Sequence, residues 1–320
     1  MSYNTIEDFE KLLTGAITIA RNNSSGRLAD YIPQLANVDS EITIAGIHLL
    51  NGSIITSGDT HAKFTLQSVS KLVLLIGMLE EYGANKVFSW ISAEPSGQAY
   101  AAISYLDRYG LVPSNPLINA GAICLAARIK GSVEEKLNWV EHWINKVYGQ
   151  QLTFCQDVFE SELGTADRNR SIAYLMKSTG VLTGDVEEIL QPYFALCSYE
   201  ASIEQALYLP MLLANGGMSP DGRQVISNAT CQQVVALMAT CGLYDESGMN
   251  LVITGLPSKS GVSGLIVSSA IGRAGIAVYS PKVNHKGTSC RGNIILQEIA
   301  SKLNWHFANL EQRCMGLSPR

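Results

Sequence analysis

The 320-residue chain is 47% hydrophobic and 16% charged with a net charge of −5, enough to bury a large core and with no basic stripe for nucleic acid or an anionic membrane surface. Its apolar runs, such as Leu72 to Leu79, fall far short of the roughly 20 residues that span a bilayer, and the polar, acidic start Met1 to Asp8 has no signal-peptide core. The expectation is a soluble, cytoplasmic protein with neither nucleic acid nor membrane as partner.

Residues 6–22 read as an amphipathic helix through Ile6, Phe9, Leu12, Leu13, Ile17 and Ile19. A link from Gly26 to Leu35 follows, in which Tyr31 on its own reads as a core aromatic. Residues 41–57 carry the clearest strand signal, two β-prone runs joined through Asn51-Gly52, the pattern of a hairpin. From about 67 to 240 the character is helical, with candidate helices at 134–148, 168–178, 186–197, 201–214 and 228–241. Breaks fall at Glu94-Pro95-Ser96-Gly97, Val112 to Pro116, Asn215 to Gly217 and Ser219 to Gly222. Strand character returns at Met249 to Leu256, Gly264 to Ile271 and Gly275 to Tyr279, and a last amphipathic helix spans about 291–303.

This order predicts an α+β fold: an antiparallel sheet built from the N-terminal hairpin and three C-terminal strands, terminal helices on one face, and a helical insertion between. The expected units are residues 1–66 with 245–320 for the sheet and 67–244 for the helical part, with a ligand site at the seam.

The stretch that carries chemistry is Gln67-Ser68-Val69-Ser70-Lys71, running into Leu72-Val73-Leu74-Leu75-Ile76. Positions i and i+3 share a helical face, so Ser68 Oγ and the Lys71 amine can meet. A helix apolar nearly all round is a buried one, and burial lowers a lysine pKa toward that of a usable base. On spacing alone the pair also fits an N-cap serine and a solvated first-turn lysine. The seven cysteines (124, 155, 197, 231, 241, 290 and 314) contain no Cys-x-x-Cys, and the five histidines have no ligand spacing. No disulfide framework, metal or other cofactor is therefore expected, and the Gly-x-Ser-x-Gly elbow of a Ser-His-Asp hydrolase is absent.

With Lys259-Ser260-Gly261 opening a late strand, Ser68-x-x-Lys71 resembles the serine β-lactamase and penicillin-binding-protein arrangement. The fuller resemblance is to the glutaminase family built on that fold. It rests on Ala29-Asp30-Tyr31-Ile32-Pro33, the Ser68 stretch, Glu94-Pro95-Ser96-Gly97, Asn115 to Ala122, Asp167-Arg168-Asn169, Leu213 to Gly217, Cys241 to Asp245 and Lys259-Ser260-Gly261-Val262, all in family order. The resemblance implies hydrolysis of L-glutamine to L-glutamate and ammonia by a homo-oligomer, a dimer or tetramer. It implies Ser68 as nucleophile, Lys71 as its base, and an oxyanion hole from the Ser68 and Val262 amides. Tyr31, Asn119, Glu162, Asn169, Tyr193 and Tyr244 match substrate-binding positions, with Tyr244 or Tyr31 as proton relay. Taken singly, Glu162 reads as a surface carboxylate, Asn169 as a helix-turn residue and Tyr193 as a core aromatic.

The chain departs from the family pattern after Val262, where Leu265 and Ser268-Ser269 stand at positions usually Gly and Val/Pro. A strand edge of altered shape beside the oxyanion hole is expected there. Two alternatives accompany the glutaminase reading: a β-lactamase- or peptidase-like serine hydrolase, and a non-catalytic amino-acid-binding paralogue. The missing Ser-Asp-Asn element argues against the first, and the intact Ser68 and Lys71 against the second.

Overall fold

Thr5 opens the first helix with a reciprocal capping box, its side chain accepting from the Asp8 amide while the Asp8 carboxylate takes up the Thr5 amide. The computed structural model describes residues 5–96 and 112–309; Gly97 and Cys314 fall outside them. Helix α1 (Ile6–Arg21) buries Phe9, Leu12, Leu13, Ala16, Ile17 and Ala20, the face its periodicity predicts. A single turn, α2 (Pro33–Ala36), precedes the hairpin of β1 (Ile44–Leu49) and β2 (Ile54–Gly58).

A short strand, β3 (Phe64–Thr65), leads into a 3-10 turn at Gln67–Ser70 and then α3 (Lys71–Tyr82). The helical body continues with α4 (Ala84–Trp90), α5 (Asn119–Ala126), α6 (Val133–Tyr148), β4 (Thr153–Phe154), α7 (Gln156–Gly164), α8 (Asp167–Ser178), α9 (Val186–Cys197), β5 (Tyr199–Ala201), α10 (Ile203–Ala214) and α11 (Asn228–Cys241). The five helices expected between 134 and 241 are present within two residues at each end. Helices α5 and α7 and the small sheet β3-β5-β4 were not expected. Its strands of two or three residues are too short to leave a periodic trace, and α5 is buried all round, so its sequence shows no amphipathic stripe.

One predicted strand is wrong. Met249 to Leu256 is mostly helix α12 (Ser247–Thr254), closed by Gly255 in the left-handed region. A short run rich in Leu, Val and Ile does not distinguish strand from helix by periodicity. Here Val252 and Ile253 stay at the surface instead of pairing. The strands that follow are β6 (Ser258–Ser260), β7 (Leu265–Ala270) and β8 (Ala274–Tyr279), and α13 (Cys290–Leu303) closes the fold. The sheet is antiparallel, in the order β2-β1-β8-β7-β6.

Alternate strand residues divide the core. Ala45, Ile47, Ile266, Ile276 and Val278 face α1 and α13, while Ile44, Leu265, Val267, Ala277 and Tyr279 join the core of the helical body. Helix α10 lies directly on this inner face. A Cβ at Gly275 would stand 2.2 Å from the Met211 amide nitrogen, so only glycine permits the contact. This packing brings the 3-10 turn before α3 against β6 and places Ser68 beside Val262 in one cavity wall.

Candidate active site

Ser68 lies inside the 3-10 turn, where side chains at i and i+3 eclipse, so Ser68 and Lys71 share one side of the chain. Gln67 just before it holds φ +44°, a left-handed conformation that costs a non-glycine residue about 1 kcal/mol or more and gathers at functional turns. Ser68 is partly buried and lines a cavity of about 260 Å³. Lys71 is completely buried behind it, and burial pulls its amine down to about 8 from the ordinary 10.5. The anion of Glu162 acts in the opposite direction. Lys71 Nζ donates to Asn119 Oδ1 at 2.6 Å and forms no hydrogen bond to Ser68 among the described residues. Asn119 Nδ2 in turn donates to Asn169 Oδ1 at 2.9 Å, joining α3, α5 and α8 through one polar chain.

Glu162 projects from α7 into the opposite wall. It is buried, and burial raises its pKa while the Tyr31 hydroxyl lowers it. Tyr31 is 42% exposed, yet its hydroxyl points inward, 2.8 Å from Glu162 Oε1 and 3.1 Å from Gln67 Oε1. Burial and the Glu162 charge push that phenol well above its ordinary range. No Lys or Arg ion-pairs with Glu162 among the described residues, so the cavity presents a carboxylate suited to an incoming ammonium.

On the third side stands Tyr244, with φ +56° in a 3-10 turn. The Lys71 ammonium position is 5.9 Å from the ring centroids of both Tyr244 and Tyr193. The amides of Ser68 and Val262 enter no backbone hydrogen bond among the described residues, and both residues line the cavity. The structure thus brings together every residue that the resemblance implied. Tyr31, Ser68, Asn119, Glu162, Asn169, Tyr193, Tyr244 and Val262 line one cavity, with Lys71 immediately behind Asn119.

A glutaminase family model matches residues 26–307. The chain belongs to the glutaminase family. It is 49% identical over 300 residues to a glutaminase of Legionella pneumophila subsp. pneumophila, covering 93% of this chain and 97% of that one. It is 38% identical over 283 residues to glutaminase 2 of Clostridium perfringens, covering 87% and 93%. Among solved structures, one described as probable glutaminase ybaS superposes with a TM-score of 0.92 at 32% identity, covering 96% of this chain and all of that one. A Bacillus glutaminase gives 0.84 at 31% identity, covering 93% and 99%. The fold is accordingly the serine β-lactamase-like α+β fold of glutaminases, and the chain is classed with amidohydrolases.

Sequence reasoning passed over several residues in or directly behind the cavity wall of this glutaminase. Gln67, Arg168 and Lys259 were inside quoted motifs but drew no role, and Thr165, Cys197 and Gly287 carried no signal at all. Cys197 is fully buried in the cavity wall, and burial pushes its thiol up to about 12, which makes it an inert neutral group. The departures after Val262 are absorbed by the core. Leu265 is buried, the hydroxyls of Ser258 and Ser268 lie 2.7 Å apart, and Ser269 Oγ donates to the Pro210 carbonyl at 3.0 Å. Strand β7 runs regularly beside β6, with Lys259 opposite Val267.

Proposed function

We propose that this glutaminase hydrolyses L-glutamine to L-glutamate and ammonia through an acyl-enzyme on Ser68. The observation that carries the reading is a fully buried lysine one turn after a cavity-lining serine, opposite a buried carboxylate. Glu162 pairs with the substrate ammonium. Asn169 and Tyr193, with Asn119 between Lys71 and Asn169, hold the carboxylate end by neutral groups. The side-chain amide then lies against Ser68.

Lys71, neutral in an appreciable fraction at neutral pH, takes the Ser68 proton as Oγ attacks the amide carbon. The oxyanion is received by the Ser68 and Val262 amides. Collapse expels the amide nitrogen, which takes a proton from Tyr244 and leaves as ammonia. The Lys71 proton restores the phenol. Water then attacks the acyl ester by the same route in reverse, releasing glutamate and Ser68. Tyr244 suits the relay better than Tyr31, because the Tyr31 hydroxyl is committed to Glu162.

Three coarser readings accompany this one. The chain divides into a sheet unit, residues 1–66 with 245–320, and a helical unit, 67–244, with the site at their seam. Exposed Met249, Val252 and Ile253 on α12 support assembly into a dimer or tetramer, and composition supports a cytoplasmic enzyme. The deciding experiment is ammonia release from L-glutamine, L-asparagine and a penicillin by wild type and Ser68→Ala. Glutamine turnover lost in Ser68→Ala supports the proposal. Binding without turnover, or acylation by the penicillin instead, overturns it.

A further inference from the structure

Tyr244 heads a 3-10 turn of three residues, and the reaction as written above uses only the first of them. Its φ of +56° is a conformation that a non-glycine residue keeps only where its surroundings over-determine it. On the α11 side the backbone is fixed by contact, since a Cβ at Gly242 would stand 1.8 Å from the Ser258 carbonyl oxygen. On the α12 side Ser247 Oγ donates to the Tyr244 carbonyl at 2.8 Å and accepts from the Leu243 amide at 2.9 Å. Between these anchors lie Asp245 and Glu246, which do not line the cavity. Both reach the loop between β8 and α13.

Lys286 Nζ pairs with Asp245 Oδ2 at 3.0 Å, and Asn284 Nδ2 donates to Glu246 Oε1 at 2.9 Å. Asn284 also folds the loop: its Oδ1 accepts from the Lys286 and Thr288 amides at 2.9 and 3.1 Å, and its own amide donates to the Thr288 carbonyl at 2.8 Å. The base of the loop is held where Val283 and Arg27 exchange both backbone hydrogen bonds, at 2.9 and 3.0 Å. Gly287, next to Lys286, lines the cavity. One loop thus supplies part of the cavity wall and grips both residues that follow Tyr244.

We infer that the loop between β8 and α13 clamps the catalytic turn, with Lys286 as a positioning residue for Tyr244: its ion pair with Asp245 holds the turn in the backbone state that presents the phenol to the leaving nitrogen. This rests on the acyl-enzyme reading and deepens it. The Lys286 and Asp245 side chains are 32% and 31% exposed, and an ion pair so placed contributes little to global stability. Its effect is local, because a small preference is enough to bias a strained turn between two backbone states. With the pair broken, part of the population relaxes and carries the phenol out of reach, and kcat falls by that part. Glu162, Asn169 and Tyr193 stand on α7, α8 and α9, which carry no part of the clamp, so substrate binding is spared. Asp245, with Glu246 beside it, holds the Lys286 amine above its ordinary range. The clamp therefore stays charged while Lys71 titrates near 8.

The test measures kcat, KM and the pH profile of ammonia release from L-glutamine, with thermal denaturation. It compares wild type, Lys286→Gln, Lys286→Arg, Tyr244→Phe and the Lys286→Gln, Tyr244→Phe double variant. The control is Lys282→Gln, which breaks the 2.6 Å pair between the same loop and Glu41. The expected Lys286→Gln protein melts close to wild type and loses at least about threefold in kcat, with KM within about twofold and the bend near 8 unmoved. Lys286→Arg, which keeps the cation, should restore at least about half of the wild-type kcat, and Lys282→Gln should stay within about twofold of wild type. In the Tyr244→Phe background Lys286→Gln should cost nothing further, because the positioned group is already gone. A smaller loss in Lys286→Gln overturns the proposal, as does an equal loss in Lys286→Arg, in the control or in the Tyr244→Phe background. Should Lys286→Gln not fold, Asp245→Asn breaks the same pair and is judged by the same criteria. Absence of glutamine turnover in the wild type would sink the acyl-enzyme reading itself, a result separable from an active wild type matched by Lys286→Gln.

Discussion

The pH dependence of kcat follows directly from the burial of Lys71. Its amine is drawn down to about 8 from 10.5 by loss of water, against the opposing pull of Glu162. About one molecule in ten then carries the free base at pH 7, compared with roughly three in ten thousand for an ordinary lysine, a gain of about 300-fold in competent enzyme. The expected profile at saturating L-glutamine rises with unit slope below pH 7.5 and bends near 8. That amounts to a roughly 50-fold increase between pH 6 and 8. Initial rates of ammonia release at constant ionic strength measure it. A kcat flat from pH 6 to 8, or a limb placed in the carboxylate range, would refute the assignment of Lys71 as base. Stability carries the same signature with its own sign. Between 8 and 10.5 the unfolded chain holds a proton that the native chain has lost, so the Lys71 contribution becomes more favourable as pH rises through that window and is constant below it. Lys71→Met should therefore exceed wild type in melting temperature by a margin that shrinks above pH 8.

Glu162→Gln removes the cavity's carboxylate and should raise KM for L-glutamine by 100-fold or so, consistent with losing a buried charged pair worth about 3 kcal/mol; unchanged KM would remove Glu162 from ammonium recognition. Tyr31→Phe deletes the hydroxyl that donates to Glu162. A hydrogen bond to a charged acceptor is worth about 1.5–3 kcal/mol, so the loss should appear in KM, about tenfold, with kcat nearly intact, whereas Tyr244→Phe should lower kcat. Gly275→Ala places a methyl 2.2 Å from the Met211 amide nitrogen, and backbone on both sides leaves no flexible group to yield. Denaturant unfolding should show a loss of at least about 3 kcal/mol; a loss under 1 kcal/mol would show that α10 can shift off the sheet at little cost.

The order of sequence signals was legible where periodicity or turn chemistry was strong. The Asn51-Gly52 hairpin and the long amphipathic helices leave traces because each depends on residues within one or two turns of each other. The α12 segment failed for the same reason in reverse. Its eight residues are apolar without a clear period, and only Gly255 at its end and the surface position of Val252 reveal a helix. At the site, Ser68 and Lys71 could be read together because they are three apart. Glu162, Asn169 and Tyr193 taken alone looked like surface, turn and core residues. Only the family resemblance joined them before the structure placed all three around one cavity.

What the sequence determined by itself was the α+β order, the burial of α3 and hence the depressed basicity of a lysine within it, properties set by local composition. What tertiary structure alone decided was the pairing. Asn119 as the partner of Lys71, Tyr31 as the partner of Glu162, and Lys259 as the partner of Tyr244 are separated by 48, 131 and 15 residues. No local rule spans such distances. They exist because α10 packs flat on Gly275 and brings the helical body against β6, so that buried polar side chains from distant turns meet and satisfy one another.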